Sequence, residues 1–141
     1  MADEVEITIS SHPRWLRLVR QVVCEYALET GFDAHDAHAI TLAVGEAVGN
    51  IIKHSYGGRT DQSFVLRCRA EDKSLEVSLR DNGEPFDPSL APLLPPDELR
   101  PGGRGLYLMR TIMDDIEFSR DGNANVVRMR KQIPSPAMKS S

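Results

Sequence analysis

The chain changes rhythm several times. Val5, Ile7 and Ile9 alternate with Glu4, Glu6 and Thr8, the period of two expected of a half-buried strand. Ser10-Ser11-His12-Pro13 then supplies a helix start, since proline suits a first helical turn. Trp15, Leu18, Val19, Val22, Val23 and Tyr26 follow at helical spacing as one apolar face, and Gly31 is placed to close that helix. Asp33 is placed to cap a second helix that runs to about His54, with Tyr56-Gly57-Gly58 as its stop. In this second helix Ile40, Ala43, Val44, Ala47, Val48 and Ile51 form a single apolar stripe. Glu46, Asn50 and Lys53 fall nearly opposite it, and Glu46 and Asn50, an i, i+4 pair, stand one above the other.

Alternation then returns. Phe64, Leu66, Cys68 and Ala70 form one strand face, and Leu75, Val77 and Leu79 form another, joined through Glu71-Asp72-Lys73 as a hairpin. From Asn82 to Arg104 no periodicity holds, and this stretch carries six of the chain's nine prolines. A long structureless stretch within a compact domain is expected to be a lid, a binding loop or a disordered segment. Gly102-Gly103-Arg104-Gly105 opens a short helix from Leu106 to about Met113. Ile116 and Phe118 start a strand, Asp121-Gly122-Asn123 turns it, and Val126 to Lys131 returns. These elements predict an α+β fold, a two-layer sandwich of one mostly antiparallel sheet with helices on one face. One domain covers residues 1–133, and the tail 134–141 is expected to be disordered.

The totals narrow the classes. A chain of 141 residues with 40% hydrophobic and 27% charged residues fits one globular domain with a real core. A net charge of −4 and the lack of a basic run argue against direct nucleic-acid binding. No apolar run nears the ~18 residues of a membrane span, and the acidic start Met1-Ala2-Asp3-Glu4 is unlike a signal peptide. Cys24 and Cys68 read as reduced core thiols of a cytoplasmic protein, with a disulfide between them as the second reading. No Cys/His cluster has zinc-ligand spacing.

Three short motifs carry candidate chemistry, and each has a plain reading of its own. Glu46 and Asn50 make either a solvated helix face or a functional one. Gly45 and Gly49 beside them would let a bulky group approach the backbone, at a cost of about 1 kcal/mol each against alanine. Asp81 and Gly83, after a strand, make either a turn or an acceptor for an exocyclic amine with room for a ring. Gly102-Gly103-Arg104-Gly105 makes either a hinge or an anion site at a helix start. It is neither a P-loop nor a Rossmann fingerprint, for lack of Lys-Ser/Thr and of a preceding strand.

Taken together, Glu-x-x-x-Asn on a helix, Asp-x-Gly-x-Pro after a strand and Gly-x-Gly before a helix resemble the ATP-binding domain shared by gyrase, Hsp90, histidine kinases and MutL. Phe86-Asp87-Pro88 and the run Gly105-Leu106-Tyr107-Leu108-Met109 are similar to the stand-alone anti-sigma factor serine kinases of that superfamily. The resemblance covers about residues 5 to 131 and implies a Bergerat-type fold binding ATP and Mg²⁺. It implies that Asn50 holds the metal and that Glu46 is the catalytic base. It also implies that Asp81 reads adenine with Gly83 beneath the base, and that Gly103 and Gly105 receive the phosphates. Lys53, His54, Arg104 and Leu106 would border the nucleotide. The implied partners are a serine-bearing anti-sigma factor antagonist and a sigma factor, and the implied state is a homodimer. Pro85 departs from the histidine-kinase pattern, which often has glycine there. His12 lacks the context of a phosphoacceptor, so histidine autophosphorylation is not expected. A nucleotide-gated binding module that transfers no phosphate, or the detached ATP-binding domain of a two-component sensor, are the alternative readings.

Overall fold

The computed structural model describes residues 3–86 and 103–135. The expectations placed on the proline-rich stretch 88–101 and on most of the tail 134–141 lie outside those residues. Five strands, β1 (Asp3–Ser10), β2 (Ser63–Glu71), β3 (Ser74–Asp81), β4 (Asp115–Asp121) and β5 (Ala124–Gln132), form one sheet in the order β1-β2-β3-β5-β4. Every neighbouring pair is antiparallel. Helices α1 (Leu16–Thr30), α2 (Ala34–Asn50) and α3 (Gly103–Ile112) pack side by side, with α2 in the middle.

The alternation of the strands explains the register. Leu66 faces Leu79 and Cys68 faces Val77 across β2 and β3, while Leu79 faces Val127 and Val77 faces Met129 across β3 and β5. All are buried against Val19, Val23, Ile40, Val44 and Val48 of the helices in one core. The opposite face is a charged ladder, Arg67 to Glu4, Arg80 to Asp121 and Arg130 to Glu76. Such exposed pairs are screened by solvent and contribute little to stability. Both cysteines are free, and burial pushes the Cys68 thiol up to about 12, so it is an inert core residue.

Local chemistry sets the element ends. Asp33 caps α2 by accepting a hydrogen bond from the Asp36 N–H at 2.8 Å. Gly31, at φ 123°, closes α1. Asp72 and Lys73, at φ 52° and 70°, make the β2–β3 connection a two-residue turn with both central residues left-handed, which matches the twist of the strands.

The structure corrects the expected face of α1. The buried stripe is Val19, Val23 and Ala27, whereas Trp15 and Leu18 are 41% and 42% exposed. Pro13–Trp15 forms a 3₁₀ turn before the α-helix starts. Three residues per turn put Trp15 out of phase with the later residues, and Leu18 lies about 140° round from the stripe's centre at Val23. Val5 is also more open than its alternation suggests, because it lies near the start of an edge strand with a neighbour on one side only. The second helix does not stay regular to His54. It changes after Asn50 into a π-turn, Ile51–Ser55, closed by the Tyr56 N–H donating to the Ile51 carbonyl.

Candidate active site

Helix α2 is the spine of the site. Its apolar stripe is buried as the spacing predicts, which turns Glu46 outward and leaves Asn50 half-buried. The two neighbouring glycines have different surroundings. Gly49 faces open space, but Gly45 lies beneath the Arg20 side chain, whose Nε would stand 3.2 Å from an added methyl group. The close approach expected at Gly45 is therefore filled by α1.

On the other flank, Gly105 in the first turn of α3 sits directly on Glu46. A methyl group at Gly105 would meet Glu46 Oε2 at 2.7 Å, closer than real contacts allow. The carboxylate and the glycine-rich helix start are thus neighbours, although 59 positions separate them in the chain. The N–H groups of a first helical turn carry a partial positive charge. Leu106 turns inward and is 2% exposed, so its side chain packs rather than borders the site. Gly103 is the first residue of α3.

Asp81, at the end of β3, is 2% exposed. Its Oδ1 accepts hydrogen bonds from the Gly83 N–H and from Asn125 Nδ2, both at 2.9 Å. Among the described residues Oδ2 accepts none. Asp81, Asn50, Ala47, Phe86 and Asn125 line one narrow cleft of about 20 Å³, room for little more than a water. Phe86 closes its side by stacking on His54, with ring centroids 4.4 Å apart and planes 15° from parallel. Burial, reinforced by the charge of Lys53, holds the His54 imidazole below its usual range, which favours the neutral ring in this stack. Lys53 itself points into solvent.

Gly83 has a strict steric reason. A methyl group there would fall 2.2 Å from the Ser55 carbonyl oxygen, and the same carbonyl accepts the Glu84 N–H at 2.8 Å. The π-turn and the segment after β3 are fastened backbone to backbone. Gly83→Ala is therefore expected to destabilise the fold by about 1–3 kcal/mol, the usual cost of forced overpacking. Urea unfolding of both proteins checks this, and an unchanged midpoint would refute the tight contact.

Two contributors were not singled out by sequence patterning. Tyr56, buried, accepts the Asn82 N–H at 3.0 Å on its hydroxyl and donates that hydroxyl to the Ser63 carbonyl. Burial pushes its phenol up, so it stays protonated and able to donate. Asn125 is the other. It shares the inward phase of Val127 and Met129, and an amide on that apolar side was the available signal.

Among the described residues no group of three or more His, Cys, Asp or Glu side chains gathers to hold a metal. The donor set that fits a cation is narrower. Asn50 Nδ2 is buried and has no hydrogen-bond partner among the described residues. Nothing nearby fixes which end of this amide faces the cleft, so its oxygen can turn to a hard ion that takes its other ligands from phosphate and water.

Comparison with known proteins bears on the family and the fold. A family model described as a histidine kinase-like ATPase domain matches residues 9–131. The serine-protein kinase RsbW of Bacillus velezensis is 30% identical over 132 residues, covering 88% of this chain and 82% of that one. The same-named kinase of Listeria innocua is 30% identical over 141 residues, covering 94% and 89%. In fold, the chain matches the structure of the RsbU and RsbW domains of a Mycobacterium tuberculosis protein with a TM-score of 0.70 at 18% identity, covering 95% of this chain and 33% of that one. The histidine kinase domain of a blue-light activated kinase from Erythrobacter litoralis matches at 0.56 and 17%, covering 89% and 62%. The chain therefore belongs to the histidine kinase-like ATPase family, with the α+β fold of that family. Within it, the branch is that of the RsbW serine-protein kinases, and the class of activity is protein serine kinase. No helix of the described residues is long and apolar enough to cross a membrane.

Proposed function

We propose that this chain is an ATP- and Mg²⁺-dependent kinase that phosphorylates a serine of a small anti-sigma factor antagonist, and that holds a sigma factor when the antagonist is phosphorylated. It would do so in the cytoplasm, as a homodimer. The observation that carries the reading is the placement of the Glu46 carboxylate against Gly105 at the start of α3, one helical turn from the unpartnered Asn50 amide.

The chemistry follows from that placement. The adenine end belongs at Asp81, where the narrow cleft would have to widen to take a ring, and the phosphates belong at the first turn of α3, with Gly103, Arg104 and Gly105 in that turn. Asn50 would hold Mg²⁺ through its amide oxygen, and the ion when bound would neutralise charge on the phosphates. Glu46 takes the proton of the serine hydroxyl as its oxygen bonds to the γ-phosphorus; the bond to the β–γ bridging oxygen breaks and ADP leaves. His54 and Phe86 wall the cleft against water.

The test is incubation with γ-labelled ATP, Mg²⁺ and a candidate antagonist. Label on the antagonist's serine is expected; tight binding of ATP and antagonist without label would favour the nucleotide-gated binding module. Asn50→Ala serves beside it. Because the buried end of the amide bonds nothing, its loss is expected to leave thermal unfolding unchanged. The same loss should weaken Mg²⁺-dependent ATP binding at least about tenfold, the worth of one contact to a charged group. Calorimetric titration reads this directly, and unchanged affinity would remove Asn50 from the metal site.

A further inference from the structure

Asn125 is the most heavily engaged side chain beside the cleft. It is 7% exposed and uses both ends of its amide. Nδ2 donates to Asp81 Oδ1 at 2.9 Å and to the Glu84 carbonyl at 2.8 Å. Oδ1 accepts from Arg120 Nη1 at 2.9 Å and from the Phe86 N–H at 3.3 Å. The partners leave one orientation open to the amide. A guanidinium and a backbone N–H only donate, while a carboxylate and a carbonyl only accept. Register explains the arrangement, for Arg120 faces Asn125 across β4 and β5, and Asn125 faces Asp81 across β5 and β3. Cation, amide and carboxylate thus stand in one row across three strands.

The consequence lies at Asp81. Asn125 and the Gly83 N–H both occupy Oδ1, so the carboxylate cannot rotate without breaking two bonds. Oδ2 is the oxygen left for a ligand in the cleft. We propose that Asn125 is a positioning residue for nucleotide selection: by fixing Asp81 it presents a single outward acceptor, which admits a 6-amino purine and rejects a 6-oxo purine. The proposal rests on the reading of Asp81 as the base-recognising residue. A purine with an amino group at position 6 donates to that oxygen. A 6-oxo purine brings a second acceptor to it, and two acceptors with no proton between them repel. With Asn125 gone, Asp81 keeps only the Gly83 N–H as an anchor, and the discrimination falls while the carboxylate itself remains.

The test compares ATP and GTP binding, by calorimetric titration, for wild type, Asn125→Leu, Asp81→Ala and the double variant. Leucine keeps the volume and deletes the hydrogen bonds. The expected result for Asn125→Leu is a fall in the ATP-over-GTP affinity ratio of about 10- to 100-fold, the worth of a hydrogen bond to a charged group. In the Asp81→Ala background the same change is expected to leave the ratio where it is, since Asn125 acts through Asp81. A merely structural role would weaken ATP and GTP alike and would persist without Asp81; either finding overturns the proposal. A ratio kept by Asn125→Leu but lost by Asp81→Ala overturns it too, and leaves the reading of Asp81 standing. A wild type that binds ATP and GTP equally removes the Asp81 reading and the proposal together. Should Asn125→Leu fail to unfold cooperatively, Arg120→Met decides. Arg120 is exposed and outside the cleft, and its loss removes the shorter of the two donors that hold Asn125 Oδ1, which loosens the amide against Asp81. A lowered ratio supports the relay, and an unchanged one overturns it.

Discussion

Glu46→Gln is expected to cut serine phosphorylation by about 10²–10⁴-fold, the usual contribution of a positioned general base, while ATP and antagonist still bind. Glutamine keeps the length and shape of the side chain and keeps one oxygen. It loses the negative charge, and with it the ability to take a proton. Glu46 is exposed on the outer side of α2, and none of the core depends on it. Gly105 lies close beside it, where the absence of a side chain leaves the carboxylate room. Since stability and shape are spared, the two measurements separate cleanly. Labelled transfer from ATP reads the chemistry, and titration with ATP and with the antagonist reads the binding. Transfer at the wild-type rate would mean that another group takes the proton and that Glu46 is a surface residue. Equal loss of binding and transfer would mean that it holds the nucleotide instead.

Asp81→Asn carries the second large effect, on which nucleotide is used. The substitution is isosteric, and the protein around it dictates how the new amide must lie. Gly83 N–H and Asn125 Nδ2 both donate to the Oδ1 position, so the amide oxygen has to occupy it. The NH₂ group then takes the Oδ2 position, and an acceptor facing the cleft becomes a donor. Discrimination by hydrogen bonds built for one ligand reaches about 10⁴-fold, and reversing one of them reverses its sign. ATP binding is expected to fall, and GTP, whose 6-oxo group accepts, is expected to compete. Competition titration on wild type and variant reads the change. An Asp81→Asn protein that still prefers ATP by the wild-type margin would show that this carboxylate does not recognise the base. Thermal unfolding should move little, because both hydrogen bonds to the Oδ1 position survive.

The sequence was most informative where side chains alone determine the outcome. The stripe from Ile40 to Ile51 put Glu46 and Asn50 on the outward face of α2, and the alternation of β2 and β3 set a register in which Leu66 meets Leu79. Asp33 and Gly31 marked helix ends by chemistry that is local to them. It was least informative where the backbone decides. The π-turn at Ile51–Ser55 changes which carbonyl each N–H finds, and no pattern of apolar residues registers that. Gly83 was legible as a residue that permits close approach, but the close partner is the Ser55 carbonyl, a group every residue carries. Trp15 has the right spacing and the wrong phase, because the turn that precedes α1 is tighter than the helix, while Leu18 lies within α1 but off its buried stripe. Asn125 is a single polar residue between Ala124 and Val126, and only the strand pairing reveals that it meets Asp81.

The π-turn makes the site depend on chain length more than on residue identity. Such a turn is equivalent to one residue inserted into an α-helix. Within Ile51–Ser55 many substitutions keep the Ser55 carbonyl where Gly83 and the Glu84 N–H meet it, since a carbonyl has no side chain to lose. Deleting one of those five residues instead restores regular helical winding, pulls that carbonyl back along the axis and parts the seam between α2 and the end of β3. A library built on this chain should therefore vary letters there, apart from the buried Ile51 and Ser55 and the His54 that stacks on Phe86, and never vary their number.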